Sequence, residues 1–128
     1  MTARILVVED NAVNLKLIRD VLNFLGYQVT VAHSGEEGVE LARTGGPDLV
    51  LMDLQLPGID GTEALRQLRT DPKIRHVPVV AVTASAMKHD REQAARDGFD
   101  GYLGKPLDIA ALPDQIHSFL ARGGGRAG

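Results

Sequence analysis

The sequence contains no cysteine and no tryptophan, and aromatic residues make up only 4% of it. Without cysteine there is no disulfide framework, no thiolate metal site and no cysteine nucleophile. No apolar run approaches the length that spans a bilayer, so no membrane partner is expected. Met1-Thr2-Ala3-Arg4 passes straight into an apolar segment, without the charged region, long apolar stretch and small-residue cleavage site of a secretion signal. A cytoplasmic location is therefore expected. An excess of positive charge is also missing: 14 Lys and Arg stand against 17 Asp and Glu, for a net charge of -3. With the two signs interspersed there is no basic stripe for phosphate backbones, and nucleic acid is not expected as a partner. At 128 residues the chain can build one core, so one function must reside in one unit.

What the sequence does contain is alternation. Apolar runs at Ile5-Leu6-Val7-Val8, Val29-Thr30-Val31, Leu49-Val50-Leu51-Met52, Val79-Val80-Ala81-Val82 and Tyr102-Leu103 are separated by helical patterns. This predicts an α/β fold, a single doubly wound five-stranded parallel sheet with helices on both faces. The first, third and fourth runs are continuously apolar, as strands buried on both faces should be. Tyr27 to Val31 alternates and the fifth run is short, so both read as edges. The strand order 2-1-3-4-5, a common arrangement of such sheets, satisfies these constraints.

Helix ends are marked as well. Ser34 to Glu37 and Asp60 to Glu63 have capping-box spacing, and Gly26 and Gly98 stand where C-terminal caps belong. Leu15, Ile18, Leu22 and Leu25 form one stripe, and Ile109, Leu112, Ile116 and Phe119 another. Met87 to Asp97 offers only Met87, Ala94 and Ala95 for burial, so that helix should be the most weakly attached. Pro113 predicts an irregular first turn, with the last helix beginning near Ala110. Residues 123–128 have nothing to bury and read as a flexible Gly-rich tail after a domain of residues 1–122.

In a doubly wound sheet the site lies beyond the carboxyl ends of the strands, where the winding reverses. Glu9 and Asp10 follow the first strand, Asp53 the third, Thr83 the fourth and Lys105-Pro106 the fifth. Each has an ordinary reading alone: Asp10 and Asn11 could cap a helix, Asp53 could order a turn, Thr83 could bond to backbone. Their convergence on one edge makes coincidence the weaker account. Two carboxylates about 4 Å apart repel by roughly 4 kcal/mol at an effective dielectric of about 20, and three acids share this edge with one lysine. Protonation could relieve the strain, but a hard cation does so without discharging the acids, and Mg²⁺ binds one or two carboxylates, waters and a phosphate oxygen. That outlines a phosphoryl-transfer site with Asp53 as nucleophile.

Val8-Glu9-Asp10-Asn11, Leu51-Met52-Asp53-Leu54-Gln55-Leu56-Pro57-Gly58, Val82-Thr83-Ala84 and Lys105-Pro106 resemble the motifs of two-component response regulator receiver domains, over about residues 4 to 121. Asn11-Ala12-Val13-Asn14 and Ala84-Ser85-Ala86-Met87-Lys88 look most like free-standing regulators of the DivK type or receivers of hybrid histidine kinases. The resemblance implies a signalling domain that promotes its own phosphorylation and dephosphorylation, with a histidine kinase or histidine phosphotransfer protein as donor. It implies Mg²⁺ held by Asp10, Asp53 and the backbone carbonyl of Gln55, with Glu9 reaching it through water. It further implies that Lys105 and Thr83 contact the phosphoryl group, that Ala84 leaves room for it, that the Lys105-Pro106 bond is cis, and that Tyr102 is the switch aromatic. Gln55 and Ser85 occupy positions that vary in the family and modulate hydrolysis. The fourth helix, fifth strand and fifth helix are then expected to meet a downstream protein target.

Rival functions fit less well. An aspartate-nucleophile phosphatase usually needs a second acid two residues after the nucleophile, where this chain has Gln55. A nucleotide or flavin binder needs a glycine- or hydroxyl-rich loop after the first strand, where this chain has two acids. A docking module alone would not require Glu9, Asp10, Asp53, Thr83 and Lys105 together. His33, His76, His89 and His117 share no ligand spacing and read as solvated, Met52 as core filling, and Pro57-Gly58 as a turn.

Overall fold

The computed structural model describes residues 2–56, 58–84 and 88–127, with the side chains of 88–90 and 122–127 left aside. Pro57, Ser85, Ala86 and Met87 lie outside the described residues, as does the His89 side chain. The elements run β1 (Arg4–Val8), α1 (Ala12–Phe24), β2 (Gln28–Ala32), α2 (Gly35–Gly45), β3 (Leu49–Asp53), α3 (Gly61–Arg69), β4 (Val79–Thr83), α4 (Lys88–Asp97), β5 (Gly101–Gly104) and α5 (Leu112–Ala127). The sheet has the order β2-β1-β3-β4-β5, with every neighbouring pair parallel. β3 and β4 are buried at every position, whereas β2 alternates, as an edge strand covered on one face must.

The core divides into two layers because side chains alternate across a strand. Ile5, Val7, Leu49, Leu51, Val80 and Val82 pack with Leu15, Ile18 and Leu22 of α1 and Leu112, Ile116 and Phe119 of α5. Leu6, Val8, Val50, Met52, Val79 and Ala81 pack with Val39 and Ala42 of α2, Ala64, Leu65 and Leu68 of α3, and Ala94 of α4. Leu22 is fully enclosed, at 0% exposure. Leu22→Ala should therefore destabilise the chain by about 2–5 kcal/mol, the cost of lost transfer energy plus a cavity. Urea unfolding checks this as a lower midpoint at an unchanged slope.

Several sequence expectations need correction. Leu25 and Ile109 are exposed, at 36% and 39%. The apolar period continues through both in sequence, but Leu25 caps the end of α1 and Ile109 precedes α5, so neither stands on a helical face. Pro113 is the second residue of α5, where a missing N–H costs little. The irregular turn before it is held by Asp108, which accepts from the N–H of Ala110 at 3.1 Å and of Ala111 at 3.3 Å. Ser34 caps α2, but Glu37 reaches back one residue further than a capping box requires, to the N–H of His33 at 2.6 Å. Asp60 caps α3 without a reciprocal bond, because Glu63 pairs with Arg66.

Gly26 and Gly98 follow α1 and α4 with φ of 91° and 104°, as C-terminal caps do. Ala95 is exposed, leaving Ala94 as the buried anchor among residues 91–97 of α4. The glycine-rich end continues α5 to Ala127 rather than leaving the helix at Arg122. No proline breaks the ladder there, although each glycine lowers helix stability by about 1 kcal/mol relative to alanine. Among the described residues no helix is long and apolar enough to cross a membrane.

Candidate functional site

Strand register brings the candidate residues to one edge. Asp53 is opposite Val82 and Thr83 opposite Gly104, so β3, β4 and β5 end side by side. The ladder then extends past the strands. Glu9 N–H donates to the carbonyl of Ala32 at 2.9 Å, Leu54 N–H to that of Val82 at 3.0 Å, and Lys105 N–H to that of Thr83 at 2.8 Å. Each site residue is thus tied through its own backbone or its neighbour's, which is why sequence positions just after apolar runs become spatial neighbours.

Glu9, Asp53 and Thr83 are buried, at 1%, 3% and 5% exposure, and Asp10 is exposed. Carboxylate oxygens of Glu9, Asp10 and Asp53 all lie within 4.8 Å of one another. Lys105 Nζ donates to Asp53 Oδ2 at 2.9 Å and stands 3.0 Å from Glu9 Oε1. The second approach satisfies charge but not hydrogen-bond direction, so Glu9 Oε1 is buried without a hydrogen-bonding partner. Asp53 Oδ1 accepts from the N–H of Gln55 at 2.9 Å. Asn11, not Asp10, caps α1, accepting from Val13 and Asn14 N–H at 3.0 Å each, which frees the Asp10 carboxylate for the cluster.

Crowding sets the protonation states. Burial pushes the Glu9 carboxyl above its usual range, and Asp53 adds to the rise against the pull of Lys105 and the Asn11 N–H. Burial also opposes charge on Asp53, but bonds with Glu9, the Gln55 N–H and Lys105 outweigh it and hold Asp53 below its usual range. Burial disfavours charge on Lys105 as well, yet the two acids keep its ammonium protonated above the usual lysine range. Of the two neighbouring acids, Asp53 is thus the one whose surroundings favour the charged form and Glu9 the one whose burial opposes it.

The acidic cluster suits a hard divalent cation. Its donors are all oxygens, one of them buried and lacking a hydrogen-bond partner, and three acids outnumber the single lysine. Tyr102 is half-buried and packs on the layer beneath α2, α3 and α4. The Lys105-Pro106 bond is cis, as expected. His33, His76 and His117 are exposed, and Met52 is core. One polar group of consequence escapes sequence reasoning. Arg69 donates to the carbonyls of Arg75 at 3.0 Å, Val77 at 2.7 Å and Gly98 at 3.2 Å, and to Asp100 Oδ2 at 2.6 Å.

An acidic cluster at the winding reversal of this sheet, paired with a lysine just after β5, is the arrangement of a receiver of two-component signalling. The family model for the response regulator receiver domain matches residues 5–117, and the chain belongs to that family. It is 43% identical over 120 residues to the polar-differentiation response regulator DivK of Brucella ovis, covering 94% of this chain and 98% of that protein. The receiver domain of the sensor histidine kinase PA1611 from Pseudomonas aeruginosa PAO1 superposes with a TM-score of 0.86 at 38% identity, covering 94% of this chain and 99% of that one. That structure has a magnesium ion coordinated in its active-site cleft. The receiver domain of Ssk1 from Saccharomyces cerevisiae, solved with the histidine phosphotransfer protein Ypd1, matches with a TM-score of 0.86 at 32% identity, over 94% of this chain and 90% of that one.

Proposed function

We propose that Asp53 is the phosphoacceptor of this receiver and takes its phosphoryl group from a phosphohistidine on a histidine kinase or phosphotransfer protein in the cytoplasm. The observation that carries this reading is a buried Asp53 held between Lys105 and the Gln55 N–H, with Glu9 and Asp10 beside it. A carboxylate oxygen of Asp53 forms the new bond to phosphorus as the bond from phosphorus to the donor's imidazole nitrogen breaks, and that nitrogen keeps the electron pair. Lys105 and the Thr83 hydroxyl hold the transferred oxygens. Asp10, Asp53 and the Gln55 carbonyl would hold Mg²⁺, with Glu9 reaching it through water. Bound there, the cation supplies neutralisation of the phosphoryl oxygens.

Water reaching the aspartyl phosphate would return the acid, so the domain promotes both its own phosphorylation and its own dephosphorylation. Phosphorylation would draw Thr83 inward and let Tyr102 turn, shifting contacts on α4, β5 and α5 toward a downstream protein. Moving such an equilibrium from 1:99 to 99:1 takes about 5.5 kcal/mol of differential stabilisation. Several charge-assisted contacts at the phosphoryl group are of that order together.

Acetyl phosphate with Mg²⁺, followed by intact-mass spectrometry, tests the core of this reading. One phosphoryl group should be gained, labile to hydroxylamine, and excess chelator should prevent it. Equal labelling rates with and without chelator would remove the cation from the mechanism, and a hydroxylamine-resistant label would remove the aspartyl ester.

A further inference from the structure

The loop between β3 and α3 starts at Asp53, and the first turn of α2 meets its later part at Gly58 and Ile59. Glu36, in the first turn of α2, accepts a hydrogen bond from the N–H of Ile59 through Oε1 at 3.3 Å. Its carboxylate lies so close over Gly58 that a Cβ on that residue would collide with both oxygens. Gly58 has φ of 76°, a dihedral that glycine adopts without strain. One residue earlier on α2, a Cβ on Gly35 would lie 2.7 Å from the carbonyl oxygen of Ile59. Two successive residues of α2 therefore meet two successive residues of the loop, Gly35 by close backbone approach and Glu36 by its carboxylate. Glu36 itself stands outside the acidic cluster of Glu9, Asp10 and Asp53.

Resting on the reading of Asp53 as an Mg²⁺-dependent acceptor, we propose that Glu36 is a positioning residue: it tethers the β3–α3 loop to α2 so that the backbone of Gln55 keeps its place beside Asp53. Gln55 N–H already donates to Asp53 Oδ1 at 2.9 Å, and its carbonyl is the ligand assigned above to the cation. A backbone carbonyl has no side-chain rotamer to adjust, so its position is set by whatever holds the loop. Gly58 supplies freedom at the hinge of that loop, and the Glu36 carboxylate removes it again. Without the tether, cation binding would have to order the loop and bear the entropy of doing so. Groups that orient metal ligands from outside typically change affinity 10- to 100-fold when removed, and a tether one step further out belongs at the lower end, about tenfold.

The test compares the wild-type chain with Glu36→Ala and Glu36→Gln in Mg²⁺ titrations of the unphosphorylated protein, followed by amide NMR, and in acetyl phosphate labelling. Glu36→Ala should weaken Mg²⁺ binding about tenfold. It should also raise the Mg²⁺ needed for half-maximal labelling to match, speed amide exchange at Ile59, and leave the labelling rate at saturating Mg²⁺ close to wild type. Glu36→Gln keeps an oxygen that can accept from Ile59 N–H and should restore the wild-type Mg²⁺ dependence. Unchanged Mg²⁺ affinity in Glu36→Ala overturns the proposal. So does a Glu36→Gln chain as impaired as Glu36→Ala, which would assign the effect to charge instead of tethering. A wild-type chain that binds Mg²⁺ but takes no label overturns the acceptor reading, an outcome that either Glu36 result leaves distinguishable.

Discussion

The Asp53→Asn chain should fold, and should gain no phosphoryl group from acetyl phosphate or from a phosphorylated histidine protein. The substitution keeps the shape of the side chain and an oxygen able to accept from the Gln55 N–H, now at 2.9 Å from Asp53 Oδ1. A neutral amide oxygen, however, is no nucleophile toward phosphorus, and the neighbouring acids cannot replace it. Burial disfavours charge on Glu9, and Asp10 is exposed, whereas the bond from Lys105 goes to Asp53. Stability should change little because two effects oppose each other. The chain loses a charge-assisted bond from Lys105, about 1.5–3 kcal/mol. It also loses the crowding of a charged Asp53 against Glu9 and Asp10, whose carboxylate oxygens lie within 4.8 Å, and this repulsion is of the order of a few kcal/mol at an effective dielectric of about 20. Intact mass and a urea melt measured on the same sample separate the two outcomes. A label on the Asp53→Asn chain would mean that another group accepts, and a collapsed melt would mean that the lost label reports unfolding.

A second large effect is expected far from the acid cluster. Arg69→Ala should destabilise the chain by about 3–5 kcal/mol, because it removes the cation paired with the nearly buried Asp100 together with the donors to three backbone carbonyls. Asp100 is 6% exposed in its side chain, and its Oδ2 also accepts from Val79 N–H at 2.9 Å, so water has little access to the acid's side of the pair. The melting temperature should fall by on the order of 10 °C or more. An Asp100→Asn partner makes the attribution testable. With the acid neutralised, Arg69→Ala should cost about 1–3 kcal/mol less than in the wild-type background. Strictly additive losses would show that the carbonyl bonds, rather than the ion pair, carry the stabilisation.

The order of elements and the place of the site could be read from the sequence because both rest on local pattern. Ile5 to Val8, Leu49 to Met52 and Val79 to Val82 are apolar throughout, and only a strand covered on both faces needs such a run. The residue after such a run is carried to the same sheet edge as its counterparts, so Glu9, Asp53 and Thr83 could be grouped without coordinates. What could not be read depends on where the backbone leaves its period. Leu25 and Ile109 continue an apolar stripe in sequence while the chain has already turned. Glu63 has capping-box spacing but finds Arg66 one turn along, a closer and more strongly charged partner. Arg69 and Asp100 are 31 residues apart, and Glu36 and Ile59 are 23 apart. Such pairs have no spacing rule and exist only once the end of a helix is folded against a distant loop.

The thin attachment of α4 bears on how this surface could diversify. Of residues 91–97 only Ala94 is buried, whereas Arg91, Glu92, Gln93, Ala95, Arg96 and Asp97 are exposed. Exposed positions away from special contacts usually change stability by no more than about 0.5 kcal/mol when substituted. A run of such positions can be rewritten, charge by charge, without touching the layer beneath. Opposite it, α1 and α5 are pinned by Ile18, Leu22 and Ile116, all at 1% exposure or less, where one lost methylene group is felt. Selection on partner choice would therefore find most of its latitude on α4 and least on the buried stripes of α1 and α5, so related chains should differ in whom they contact long before they differ in how they fold.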